Sequence, residues 1–304
     1  MAVYVVGDFL RETRLRKGYT QEEVSYGICT TASLSRIENG AQKPGRLILE
    51  KLFERLGTEN NLFNSFVSRE EMELYSEIQT LIRDITDEDV VKIEKQIDVV
   101  EKLAVNTTEL EHQCLYFAKG ELARQKEKDD KKAMEMYMKA IHITLPDFDG
   151  KNPLRNNLLT FDEIMIINAI AILHAKADDI MTAVQLGMWL KKYMEEKIVD
   201  GTMKIAKYPM ILYNLSNWLG RENCHKEALK MADLGIRFCI RYGNLAFFPI
   251  LVFNKGGALE ELGKIDQAKK YLHQSVTIFE AMDRPDLIQV ATDWCKLHYR
   301  IDIQ

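Results

Sequence analysis

From about residue 68 to the end of the chain, apolar residues recur at helical spacing in segment after segment, and proline interrupts the pattern only at Pro146, Pro153, Pro209, Pro249 and Pro285. Prolines so placed read as punctuation between pairs of helices. An alanine marks the same place in four segments: Lys131-Lys132-Ala133, Met181-Thr182-Ala183, Lys226-Glu227-Ala228 and Asp266-Gln267-Ala268. Its spacings of 50, 45 and 40 residues indicate one unit used repeatedly, with helices or loops of differing length. The chain is therefore expected to be all-α.

These units resemble tetratricopeptide repeats, pairs of antiparallel helices of about 34 residues with small residues at the crossing and an alanine early in the second helix. Phe253 to Phe279 is the best match, with Gly256-Gly257-Ala258 at the close crossing, Leu262-Gly263-Lys264-Ile265 in the turn and Ala268 behind it. An earlier pair is expected at about Glu70 to Asp84 and Glu88 to Leu103. A terminal helix from Asp286 to Arg300 is expected to cap the stack, with Trp294 and Leu297 covering its open end. The resemblance implies a right-handed solenoid of helix pairs with a C-terminal capping helix, over residues 67–304.

Residues 1–66 are organised differently. Phe9, Leu10 and Thr13 set the period of a first helix that Gly18 stops. Thr20 and Glu23 form a capping box for a short second helix anchored by Val24. After a tight break at Gly27-Ile28-Cys29, Thr30 or Thr31 caps a third helix. That helix turns Leu34 and Ile37 inward and Thr31, Ala32, Ser33, Ser35 and Arg36 outward. Glu38-Asn39-Gly40 ends it, and Lys43-Pro44 leads into a packing helix from Leu47 to Leu56, stopped by Gly57. Two short helices joined by a tight turn are what a DNA major groove admits.

The string Thr20-Gln21-Glu22-Glu23-Val24, Leu34-Ser35-Arg36-Ile37-Glu38-Asn39-Gly40, Pro44, Leu52 and Leu56-Gly57 resembles the Xre/Cro family of repressor-type helix-turn-helix domains. That resemblance implies that Gln21 and Lys43 contact phosphates at helix ends, that Asn39 anchors near the DNA backbone, and that Thr31, Ala32, Ser33 and Arg36 face base edges. Phosphate contacts position a protein and base contacts specify the site. Arg36 alone on this face carries the paired donors for guanine; its alternative is a surface pair with Glu38 or Glu12. Small side chains dominate the face, so DNA shape and site spacing are expected to supply part of the specificity.

Charge gives this reading little help. The net charge is −5, and residues 1–66 hold nine Lys or Arg against eight Asp or Glu, so nucleic-acid contact has to be local. With 46% hydrophobic and 29% charged residues the chain is a globular one, not a disordered one. Apolar runs such as Leu245 to Phe253 fall short of the roughly 18 residues of a bilayer span, and no export signal opens the chain, so a cytoplasmic location without membrane contact is expected. The five cysteines lie far apart with no C-x-x-C pair, and are read as reduced, mostly buried thiols with no role for a metal. The six histidines are scattered, no nucleophile motif or phosphate loop is present, and Asp129-Asp130 and Asp178-Asp179 read as turn carboxylates. Neither an enzyme nor a cofactor is expected.

Stacked helix pairs make a concave surface lined by the first helix of each pair, suited to an extended peptide. Aligned on the repeat alanines, Asn214 and Asn254 take the same place on successive first helices, and Asn168 lies within one position of it. Their amides can satisfy a peptide backbone whatever its side chains; each is otherwise a helix-surface asparagine facing water. A helix-turn-helix head before such repeats resembles the RRNPP regulators of the Rgg/PlcR type, intracellular receptors for signalling peptides in Gram-positive bacteria. Ile28-Cys29, Leu34-Ser35-Arg36-Ile37-Glu38, Asn168-Ala169-Ile170-Ala171 and Tyr213-Asn214 carry that resemblance. It implies peptide contacts from Asn168 and Asn214, with Asn254 where a related polar residue sits, a homodimer on double-stranded DNA with a palindromic operator, and heads whose placement the peptide shifts. The chain departs from the pattern in its first repeats, where Lys92, Lys95 and Tyr116 stand for the expected basic and aromatic pocket residues. The competing reading is a constitutive repressor whose repeats dimerise it or dock a protein partner.

Overall fold

In a computed structural model of the chain, residues 6–58, 69–86, 90–104, 109–154, 158–197 and 201–299 are described. All their regular structure is helical, as expected. They fall into two compact units, Met1–Leu173 with Lys197–Asp200, and His174–Glu196 with Gly201–Gln304. The expected domain boundary at residue 66 lies outside the described residues.

The first unit begins with the head: α1 (Val6–Arg16), α2 (Gln21–Ser25), α3 (Thr31–Glu38) and α4 (Arg46–Arg55). Leu10, Val24, Leu34, Ile37, Leu52, Phe53 and Leu56 are buried in one cluster. Each contributes roughly 1.5–3 kcal/mol by leaving water. The Thr20–Glu23 capping box is present, and Thr30, not Thr31, caps α3 by accepting the Ser33 N–H at 3.1 Å. Gly18, Gly40 and Gly57 end their helices with positive φ.

Behind the head come α5 (Arg69–Thr86), α6 (Val90–Leu103), α7 (Glu109–Leu122), α8 (Asp130–Thr144) and α9 (Phe161–Lys176). The first two packed pairs are α5 with α6 and α7 with α8. The head is seated on this scaffold: its core cluster continues into Leu110 of α7 and Leu158, and Arg46 of α4 stacks 4.1 Å from the Tyr75 ring of α5. At the turn before α3, Gly27 has φ +69°, and a Cβ there would overlap the Thr144 carbonyl. The division between the units falls inside α9, between Leu173 and His174.

The second unit contains α10 (Ile180–Glu196), α11 (Gly201–Arg221), α12 (His225–Tyr242), α13 (Phe248–Glu261), α14 (Ile265–Ala281) and α15 (Pro285–Trp294), the last continued by a π-turn, Cys295–Tyr299. The pairs α11–α12 and α13–α14 stack in chain order. Ala133, Ala183, Ala228 and Ala268 are all buried early in α8, α10, α12 and α14, as the repeat pattern requires. At the crossing in the last pair, a Cβ on Gly256 would meet Leu272 Cγ at 2.7 Å, so only glycine lets α14 come so close.

Two expectations need correction. Pro209 does not punctuate a helix pair but lies inside α11. Proline cannot donate to the carbonyl four residues back, and that carbonyl, on Ile205, instead accepts from Asn244 Nδ2 at 2.7 Å. The terminal helix does not close the stack with Trp294 and Leu297, which are 46% and 77% exposed. It packs through Leu287, Ile288, Ala291 and Cys295 onto Leu272, Val276 and Phe279, because the apolar residues at spacings of three and four on α15 fall on that side.

Candidate DNA-reading surface and repeat cleft

Helix α3 is held from below by a charged network absent from the expectations. Arg14 of α1 donates Nε and Nη2 to Glu38 Oε1 and Oε2 at 2.6 and 2.8 Å, and Gln21 Nε2 donates to Glu38 Oε2 at 2.8 Å. Burial alone would push the Glu38 carboxyl up; the hydrogen bonds from Arg14 and Gln21 and the Arg14 charge outweigh it and hold the carboxyl below its usual range. Arg14 and Gln21 thus lock α1 and the start of α2 to the last turn of α3. The pairing of Arg14 with Glu38 at a separation of 24 residues leaves no mark in local sequence pattern.

On the outer side, Thr31, Ala32, Arg36, Asn39 and Lys43 are exposed and Ser33 is half-buried. The alternative partners for Arg36 are not used: its Nε donates to Gln42 Oε1 at 3.0 Å and its Nη2 to Ser33 Oγ at 3.3 Å. Asn39 Oδ1 accepts from Arg11 Nη1 at 3.4 Å. Gln21 sits at the start of α2, but its amide nitrogen is engaged with Glu38. These six residues therefore offer a guanidinium, an ammonium, a methyl and three hydroxyl or amide groups.

In the first unit, Asn168 lies on α9 and is buried. In the second, Asn214 on α11 is 7% exposed, while Asn254 on α13 spends its amide nitrogen on α11, donating to Tyr213 O at 3.3 Å and Ser216 Oγ at 2.6 Å. Asn254 consequently ties two first helices together, keeping its carbonyl oxygen as its acceptor. Beside it an open cleft of about 450 Å³ is walled by Phe253, Gly257 and Trp294, with Ser216, Asn217 and Asn254 as its polar floor and Arg221, His225 and Glu261 at its rim. Asn217, exposed and one turn beyond Asn214, was not singled out from sequence. Its signal was the spacing of three from Asn214, which places both on one flank of the helix.

Burial raises the thiols of Cys29, Cys114, Cys239 and Cys295, the last two to about 11. No helix among the described residues is long and apolar enough to cross a membrane.

A capped third helix on a small helical head, followed by pairs of helices crossing at alanine and glycine, defines a helix-turn-helix protein with tetratricopeptide-like repeats. Residues 5–66 match the family described as helix-turn-helix domain, and residues 251–281 that described as tetratricopeptide repeat. Over 63 residues the chain is 38% identical to the uncharacterized HTH-type transcriptional regulator YqaF of Bacillus subtilis, covering 20% of this chain and 83% of that protein. In fold it is similar to PlcR of Bacillus thuringiensis in complex with the peptide PapR7 and DNA, with a TM-score of 0.60 at 18% identity over 94% of this chain and 98% of that one. The apo competence regulator ComR of Streptococcus vestibularis is similar at a TM-score of 0.51 and 14% identity, over 96% and 97% of the two chains. The chain belongs to the helix-turn-helix transcriptional regulators, and its fold is of the RRNPP type anticipated from the sequence.

Proposed function

We propose that this transcriptional regulator binds a palindromic operator as a homodimer and that a short peptide, bound in the groove of its repeats, controls it. The observation that carries the reading is the open cleft in the second unit, whose 450 Å³ falls within the range of roughly 300–1,000 Å³ typical of ligand sites. A repeat array serving only as a dimerisation scaffold would fill that space with its own side chains or with the partner subunit. Asn217 and the Asn254 carbonyl supply donor and acceptor for a peptide backbone, and Phe253 and Trp294 receive an apolar side chain. Asn214 is a further candidate contact in this unit, and Asn168 of the first unit is a candidate on the sequence resemblance alone. In the head, Arg36 reads guanine with Thr31, Ala32 and Ser33 beside it, while Gln21, Asn39 and Lys43 meet the DNA backbone.

The homodimer is supported by two exposed apolar residues at the end of the chain's helices, Val290 on α15 and Leu297 in the π-turn after it, at 63% and 77% exposure. Two heads on a palindrome must sit about 34 Å apart, so a change in their separation decides between tight and weak binding. The test is affinity for DNA from the region upstream of the gene, with and without short synthetic peptides copied from reading frames beside it. Arg36→Ala is expected to weaken specific binding at least tenfold. Asn217→Ala is expected to keep basal binding and lose the peptide response. DNA binding indifferent to every peptide would refute the receptor reading and leave a constitutive regulator.

A further inference from the structure

Helix α4 carries charges that a small head would ordinarily leave in water, yet Lys51 and Arg55 are each 2% exposed. Their partners are on the first turn of α9. Lys51 Nζ lies 2.9 Å from Asp162 Oδ2 and 2.9 Å from Glu54 Oε1, and Arg55 Nη2 lies 2.7 Å from Glu163 Oε1 with both side chains fully enclosed. Arg55 Nη1 also donates to the Tyr26 carbonyl, at the turn leading to α3, and Phe161 N–H donates to Glu54 Oε2 at 2.9 Å. Tyr26 in turn donates its hydroxyl to Asp147 Oδ2 at 2.6 Å.

An apolar contact of the same size would hold the two helices as firmly; buried ion pairs add a penalty for any placement that parts them. Buried ion pairs are satisfied in one placement only, and separating them strands charge out of water. The contact is therefore either whole or lost. Glu163 cannot follow Arg55 away from the scaffold, because it also closes a capping box at the start of α9, accepting Thr160 N–H at 2.5 Å while its own N–H meets Thr160 Oγ1 at 3.3 Å. In this seated position the reading residues Thr31, Ala32 and Arg36 remain exposed. Asn168 lies five residues beyond Glu163 on the same rigid helix, about 7.5 Å along its axis.

We infer that this ion cluster is a latch by which the first turn of α9 sets the position of the DNA-binding head, and that ligand control of the head passes along α9. The second half of the inference rests on the peptide-receptor reading; the first does not. The latch is overloaded with carboxylates: Glu54, Asp162 and Glu163, with Glu50 near enough to act on Lys51 and Glu54, surround two cations. Accordingly burial, opposed by Lys51 and reinforced by Asp162, pushes the Glu54 carboxyl up to about 7.

Hydrogen exchange on the full-length protein, without any peptide, tests the latch. Glu163→Gln strands the Arg55 charge and is expected to speed exchange in α4 and in residues 158–163 together, at least tenfold, with α11 to α14 unchanged. Glu54→Gln keeps one oxygen, for Phe161 N–H, but turns an amide NH2 toward Lys51 Nζ, so it is expected to speed exchange in α4 by less than Glu163→Gln does. Faster α4 exchange in both variants, larger for Glu163→Gln, supports the latch, and unchanged α4 exchange in either overturns it. Coupling is read from Asn168→Ala, expected to change α4 exchange at least threefold in the wild-type background and not at all on top of Glu163→Gln. A change confined to α9 overturns the coupling. None of these outcomes depends on whether a peptide exists, so failure of the latch and failure of the receptor reading are separable.

Discussion

The proline inside α11 offers a quantitative test of the helix accounting. Pro209 leaves the Ile205 carbonyl without its backbone donor, and Asn244 supplies one from the loop after α12. Replacing Asn244 with alanine removes a hydrogen bond with a net value of about 1 kcal/mol and strands a half-buried acceptor, which costs about 1–3 kcal/mol. Since Ile205 is only half-buried, water recovers part of that, and a loss of about 1.5–2 kcal/mol is expected. Asn244 also accepts the Ala246 N–H at 3.0 Å, so the raw loss mixes two bonds. Pro209→Ala separates them. With alanine at 209 the helix supplies its own donor to Ile205, and Asn244→Ala then costs only the Ala246 bond. The cycle of wild type, two single variants and the double variant should show a coupling of about 1 kcal/mol, measured by equilibrium urea unfolding of the full chain. Additivity within about 0.4 kcal/mol would refute the assignment of Asn244 to the carbonyl that Pro209 releases.

Two further outcomes follow from the head. Gly27→Ala combines a left-handed backbone with a collision against the Thr144 carbonyl, a backbone atom that no rotamer change can move, and is expected to cost about 2–4 kcal/mol. Gly18→Ala, at φ +75° with nothing within 4 Å, should cost only about 1 kcal/mol in thermal unfolding; equal losses would dispose of the Thr144 contact. Glu38 has a carboxyl depressed in the folded state, so its contribution is present above the ordinary carboxylate range and disappears as pH falls through the lowered value. Wild type should therefore lose more stability than Glu38→Gln between pH 6 and pH 3, roughly, in matched melts, and parallel curves would remove the ion pair from the account.

Features set by neighbours in the chain were legible in the sequence: the Thr20–Glu23 box, the glycine stops and the alanines buried at helix crossings all follow from spacings of a few residues. Features set by packing were not. Lys51, Glu54 and Arg55 have the spacing of a solvated helix flank, and only the approach of α9 encloses them. Thr160 and Glu163 did carry a signal, a threonine followed three residues on by glutamate ahead of an apolar run, but it announces a helix start and not the arginine across from it. The asparagines were placed correctly on their helices, yet alignment on alanines fixes a residue's height along a helix better than its rotation about the axis. Asn214 is consequently buried, Asn254 is turned toward α11, and the exposed position belongs to Asn217. Trp294 and Leu297 were misjudged for the same reason: size suggested burial, and the helix presented smaller residues to the stack.

The hollow at Gly256, which receives Leu272, has counterparts at Gly235, where Leu251 sits, and at Gly187, where Leu215 and Trp218 meet. In each case a large side chain from the following helix is seated at a position that has no side chain of its own. Helices in this unit are thus indexed to one another by point contacts near their middles, which do not themselves set the lengths of their ends and connections. Connections of different length can therefore serve the same alignment, and the unequal 45 and 40 residue periods from Ala183 to Ala228 to Ala268 are compatible with it.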